Sequence, residues 1–397
     1  MKKIFLTTIT LLSIASASVF GMYGANSGWI NFLTHGNQFR ARMNQLGFTL
    51  GNDTIKGTFG FFNDGRGAYG SMLSQSTAAG EAGTGLYYDF TPTISMGLAY
   101  TSSLISVGVG YNATIGPRWD RFNGKTDSKK VEAVVHTPVL VLNALDNAFR
   151  MAIPIQVVNL TEKFDGLGKG SITAVSLDAQ FRYYTGLDFL PQIRLYIKYG
   201  NYGTQFNPEG AEKIKETFAE SFGFDFRLYF GAMVEEVAIQ PIVKLAYNGA
   251  LGKQHNIRNV TAISALSDAA RVPGNFASIV GGAGTESLST YSTVATWKKS
   301  AWDLTLAPAL GITANSDIVS LYVEPSLGLK ITQNGSETDN KAKETYGLAW
   351  GTYAEIYITP IKNLEWYFEA DVGGATAPAQ PVNLAASTGI TWYLPAL

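Results

Sequence analysis

Over residues 217–247 apolar and polar side chains alternate. Phe218, Phe222, Phe224, Phe226, Leu228 and Phe230 share one face, interrupted by Glu220. Ser221, Gly223, Asp225, Arg227 and Tyr229 share the other. After residues 231–236 the row resumes with Val237, Ile239, Pro241, Val243, Leu245 and Tyr247, opposite Ala238, Gln240, Lys244 and Ala246. Side chains with a period of two belong to a strand, so the stretch predicts a hairpin with one apolar and one polar side. Its strands reach about ten residues or more, close to what a tilted membrane-spanning strand needs. The apolar face carries aromatics toward its ends. Together these features predict a transmembrane β-barrel, lipid outside and water inside.

The alternation recurs along the chain. Phe149, Met151, Ile153, Ile155 and Val157 oppose Arg150 and Gln156. Val175, Leu177, Ala179, Phe181 and Tyr183 oppose Asp178, Gln180 and Arg182. Ile193, Leu195, Ile197 and Tyr199 oppose Arg194, Tyr196 and Lys198. The apolar row from Trp302 opposes Asp303, and the row from Val319 opposes Glu324. Leu348, Trp350, Ala354, Ile356 and Ile358 oppose Glu355; Leu364, Trp366, Phe368, Ala370 and Val372 oppose Glu365, Glu369 and Asp371.

The first third is harder to divide. Phe39, Ala41 and Met43 share a face, and the phase then shifts to Leu46, Phe48 and Leu50, as a bulge would allow. Residues 86–90, 94–100 and 105–111 read as three short strands. The expected fold is an all-β, antiparallel outer-membrane barrel of about 14–16 strands, since bacterial single-chain barrels hold even numbers. From residue 129 the connections alternate, short near 146, 186, 232, 315 and 361, long over 158–170, 200–216, 248–300, 332–345 and 374–382. Short periplasmic turns and long outer loops follow, with 248–300 the largest loop.

Composition fits this class. Charged residues are 15% and aromatics 12% of 397 residues. Mean hydropathy is only +0.05, as expected when polar and apolar positions cancel. A net charge of -1 leaves no footprint for nucleic acid. Cysteine is absent, which excludes disulfides, thiolate catalysis and cysteine metal sites. Lys2 and Lys3 precede an apolar run to Ile14, and small-residue cleavage sites follow at Ala17 and Gly21. Residues 1–21 therefore read as a secretory signal peptide, 22–37 as a periplasmic lead-in and 38–397 as a single barrel domain. No later run of about 18 apolar residues predicts a membrane helix.

Gly21, Met22, Tyr23 and Gly24, then Trp29 and Ile30, residues 32–43 and residues 45–48, resemble the variable surface protein (Vsp) family of the Serpulina/Brachyspira spirochaetes. The specific likeness covers residues 21–62. It implies an abundant, antigenically variable outer-membrane protein exposed at the surface, and host immune or surface molecules as partners. It supplies no catalytic residues.

Candidate chemistry is sparse. Gly166, Gly168 and Gly170 imitate a phosphate cradle, but a strand follows where a P-loop needs a helix, so an outer loop is expected. His35, His136 and His255 are the only histidines, and no sequence cluster joins one to an acid and a serine. No enzyme, catalytic residue, cofactor or metal site is expected. The candidate functional positions are charged residues facing the lumen. Arg150, Arg182, Arg194, Lys198, Arg227 and Lys244 form a basic arc, and Asp303, Glu324, Glu355, Glu365, Glu369 and Asp371 an acidic one. The expected function is a surface antigen with passive, porin-like permeability to small polar solutes. The alternatives are a structural or adhesive barrel with an occluded lumen, and, less favoured, a barrel enzyme. Outer-membrane lipid is the expected surrounding, and the oligomeric state stays open, a homo-oligomer included.

Overall fold

A computed structural model describes residues 26–42, 45–63, 75–76, 87–88, 92–119, 128–164, 168–208, 214–234, 237–251, 258, 299–336, 344–377 and 379–394. The expected signal peptide and most of the 248–300 loop lie outside the described residues.

Sixteen strands form the described wall: β1 (Gln38–Arg42), β2 (Gln45–Gly51), β3 (Ile55–Asn63), β4 (Pro92–Tyr100), β5 (Ile105–Trp119), β6 (Ser128–Ala144), β7 (Phe149–Phe164) and β8 (Gly168–Tyr184), then β9 (Gln192–Pro208), β10 (Ile214–Tyr229), β11 (Val237–Ala250), β12 (Trp302–Asn315), β13 (Val319–Gln333), β14 (Glu344–Ile361), β15 (Leu364–Thr376) and β16 (Ala379–Leu394). Short rungs at Gln75–Ser76, Tyr87–Tyr88 and Ala232–Val234 extend it at the margins. Every sequential pair is antiparallel, and β1 pairs with β16 from Phe39↔Leu394 to Arg42↔Thr391. The sheet therefore closes on itself and leaves no edge strand, which an apolar solvent demands of a spanning sheet.

Outward rows are apolar and exposed. Leu327 is 57% exposed, and Phe222, Val243, Leu306, Leu329, Trp350 and Trp366 are exposed in the same phase. In water such a surface would be costly; in hydrocarbon it is the favourable one. Outward aromatics stack near both ends of the strands. Phe224, Tyr247 and Trp302 form a row with centroids 5.9 and 6.5 Å apart on the long-loop side. Trp366 and Phe368 lie 4.7 Å apart toward the short-turn side. These are the positions of interfacial girdles.

Three details differ from the sequence reading. The chain reverses between Arg42 and Gln45, pairing Gln38↔Thr49 through Arg42↔Gln45, so the phase shift there is a hairpin and not a bulge. Of residues 86–90 only the rung Tyr87–Tyr88 is described. Much of the long loops expected over 158–170, 200–216 and 374–382 is strand. From β5 onward the strands run 13–18 residues, beyond the roughly 9–11 that span a bilayer. Their ends continue the ladder past the membrane, where turn-like composition is tolerated. Gly168 and Gly170, expected in a loop, accordingly belong to β8.

The short turns sit together at one end. Asp146 and Asn147, with φ of 53° and 66°, and Asn363, with φ of 69°, occupy left-handed backbone there. Asn and Asp tolerate that region better than other side chains. Both β1 and the last residues of β16 meet this same end.

Candidate functional site

The inner face divides into two arcs with different chemistry. On β4–β6 the inward positions Gly97, Ala99, Gly108, Gly110, Val139 and Val141 make a small and apolar patch, flanked by the buried polar Ser95, Ser106, Asn112 and Thr137. Against this patch lies a 3-10 helix, Asn26–Thr34, within the stretch that the sequence reads as a periplasmic lead-in. Trp29, Ile30, Phe32 and Leu33 are fully buried in this seat. Trp29 and Phe32 meet edge-on with centroids 5.5 Å apart. A Cβ at Gly110 would stand 2.4 Å from the Trp29 ring, and one at Gly97 2.7 Å. Glycine at both positions is what lets the indole touch the wall.

Runs of 3-10 helix beyond three or four residues are uncommon. This one spans nine residues, and its burial supplies what its hydrogen bonds cannot, roughly 1.5–3 kcal/mol for each large apolar side chain. Its C-terminal carbonyls are capped from the wall. Lys56 Nζ donates to the Leu33 carbonyl at 2.8 Å and to the His35 carbonyl at 2.7 Å, satisfying groups that a helix end leaves without intrahelical partners. Arg150 donates to Asn31 Oδ1 at 3.0 Å and to Thr34 Oγ1 at 3.3 Å, and Arg182 donates to Asn31 Oδ1 at 3.5 Å. Burial first, then the charges of Arg40, Lys56 and Arg150, push His35 down to about 4. The imidazole beside these cations is therefore neutral at pH 7.

The second arc, β9–β15, carries a cavity of about 300 Å³. Arg194, Arg227, Lys244, Glu324, Glu355 and Asp371 line it. The Arg194 guanidinium lies 4.4 Å above the Tyr229 ring, with Nε donating to Gln192 Oε1 at 3.0 Å. Arg227 forks onto Asp225 at 2.9 and 2.6 Å. Lys244 pairs with Glu324 across the intervening β12. Tyr322 donates to Glu324 and Tyr353 to Glu355.

The other candidate residues are elsewhere. Arg150 and Arg182 hold the helix. Lys198 stands opposite Asp178 in the β8–β9 register. Asp303 accepts from Asn248 Nδ2 at 3.0 Å and lies 3.9 Å from Arg258, near the long-loop end. Glu365 accepts from Tyr393 at 3.2 Å, and Glu369 from Tyr357 at 3.2 Å. His136 faces outward, its Nδ1 2.5 Å from the Tyr111 hydroxyl. Among the described residues no three His, Asp or Glu side chains converge as metal ligands.

The sequence reading missed the tyrosines that hold the acids. Their signal was present: Tyr322 with Glu324 and Tyr353 with Glu355 are two residues apart, which places them on one face of a strand. The helix also left a trace, because Trp29, Ile30, Phe32 and Leu33 follow helical spacing.

A closed, lipid-faced barrel with a polar interior defines an outer-membrane β-barrel protein. A family model described as "Serpulina hyodysenteriae variable surface protein" matches residues 2–393. The chain belongs to this family of surface proteins of the outer membrane. No curated protein matches it. Among solved structures the "Copper transporter OprC" aligns at 10% identity with a TM-score of 0.37, over 90% of this chain and 64% of that one. The chain thus spans less than two thirds of that transporter's length, and so slight a likeness carries no argument about transport.

Proposed function

We propose that this surface protein passes small polar solutes passively through the arc of lumen that the N-terminal helix leaves open. The cavity of about 300 Å³ beside the docked helix, lined by charges of both signs, supports this reading most directly. Charged walls in a narrow path orient polar solutes and set modest ion selectivity. The helix end of the barrel is read as periplasmic, because short turns collect there, and the long loops as outside. An epitope tag at Gly282 is then labelled on intact cells; labelling only after the envelope is broken contradicts this sidedness.

Reversal potentials across planar bilayers test the conduction. Replacing Glu365, Glu369 and Asp371 with Gln or Asn shifts the preference toward anions at low salt, and the shift shrinks as salt rises. An absence of conductance in the unmodified protein favours a second reading, an antigen or adhesin with an occluded lumen. Two observations lean that way: the helix fills one arc, and Lys244 and Glu324, which line the cavity, neutralise each other inside the other.

A further inference from the structure

The two walls of the cavity in the second arc differ in charge. On β9–β11 Arg194, Arg227 and Lys244 line it. Arg227 pairs with Asp225 on its own strand and Lys244 reaches across to Glu324 on β13, so the charges that belong to this wall are three cations and one carboxylate. On β14 and β15 the lining groups are Glu355 and Asp371. Glu355 is 2% exposed. Its Oε1 accepts from Tyr353, whereas its Oε2 is buried with no hydrogen-bond partner among the described residues. Its cross-strand neighbour is a second carboxylate, Glu369. A buried acceptor without a donor is costly, more so beside like charge. A ligand that brings an N–H cation to Oε2 relieves both costs. A metal ion fits poorly, since no three ligand side chains converge in the described residues.

We propose that this cavity binds small zwitterionic solutes of amino-acid or dipeptide size. The ammonium group lies against Glu355 and Asp371, and the carboxylate against Arg194. The volume, about 300 Å³, is at the low end of ligand pockets, which run roughly 300–1,000 Å³, and admits little more. The Tyr322 and Tyr353 rings, 6.3 Å apart, offer π-faces that favour a cation on the acidic side. The site rests on the reading of the lumen as a solute path, because a zwitterion must reach it from water.

Equilibrium dialysis of the refolded full chain in detergent tests it without a membrane. The probes are radiolabelled alanyl-alanine, its N-acetyl form and its C-terminal amide. The zwitterion is expected to bind about tenfold or more tighter than either blocked form, each having lost one charged end. Glu355→Gln and the exposed Asp371→Asn each reduce the preference for a free amine, and Arg194→Gln the preference for a free carboxylate. Circular dichroism and the heat-dependent gel shift of a folded barrel accompany each variant. No retention of the zwitterion, equal retention of the three probes, or preferences unchanged in folded Glu355→Gln and Asp371→Asn overturn the proposal. Conductance without dialysis binding removes the site and leaves the pore; binding without conductance removes the pore and leaves the site.

Discussion

Gly97 and Gly110 show how single residues set the shape of the lumen. Each occupies an inward position where the Trp29 ring lies against the backbone. Gly110→Leu is expected to unseat the helix, since the added side chain occupies the indole's space. Hydrogen exchange of residues 29–33 reads this directly: protection is lost in the variant, and protection equal to the unmodified chain contradicts the seat. Glycine inside a strand hinted at a close approach, but nothing in its own strand names the partner. His35 adds a pH dependence. Its pKa falls from 6.5 to about 4 when the helix is seated, so the unseated chain binds a proton that the seated chain refuses. Seating is then fully stabilised above 6.5, weakens as pH falls toward 4, and levels off below. Exchange protection of the helix should follow that course, and His35→Gln should lose the step. A step that persists in the variant assigns it to another group.

Strands were the most legible elements. From Val131 onward the period of two marks the membrane part of each strand, because a sheet between lipid and water enforces alternation there. The strand ends beyond it, over much of 158–170, 200–216 and 374–382, read as loops in the sequence. The first third was less legible for a physical reason. Strands β1–β4 have only 5–9 residues, and their buried inward positions mix Arg40, Thr49, Thr58, Thr93 and Ser95 with Ala99, so short runs give too few positions for the two faces to stand apart. The helix itself was hidden because its apolar residues suit a wall rather than water. Where contrast is sharp, facing is testable. Leu327 is exposed on the outer side of β13 and Ser326 lines the cavity. Leu327→Arg is expected to cost about 2–4 kcal/mol of folding stability if it lies near the bilayer midplane, and Ser326→Arg much less. Unfolding titrations in lipid vesicles measure the difference, and equal costs contradict the facing.

On the scale of the molecule, one inner arc seats the helix on an apolar patch ringed by Lys56, Arg150 and Arg182, and the other is charged and contains the cavity. The sequence placed basic residues on the middle strands and acidic ones on the last strands. It could not show which charges meet, because contacts such as Lys244 with Glu324 depend on register between strands. Nor could it show that Arg150 and Arg182 are spent on the helix. The central claim is that a docked N-terminal helix narrows an otherwise conducting barrel. Its most direct test is single-channel conductance of the refolded full chain beside Trp29→Ala, which removes the largest side chain in the seat and is expected to weaken docking by about 3–5 kcal/mol. The account predicts a small, steady conductance in the unmodified protein and a severalfold larger one in Trp29→Ala at the same salt. No conductance in either protein, or the same conductance in both, would contradict it.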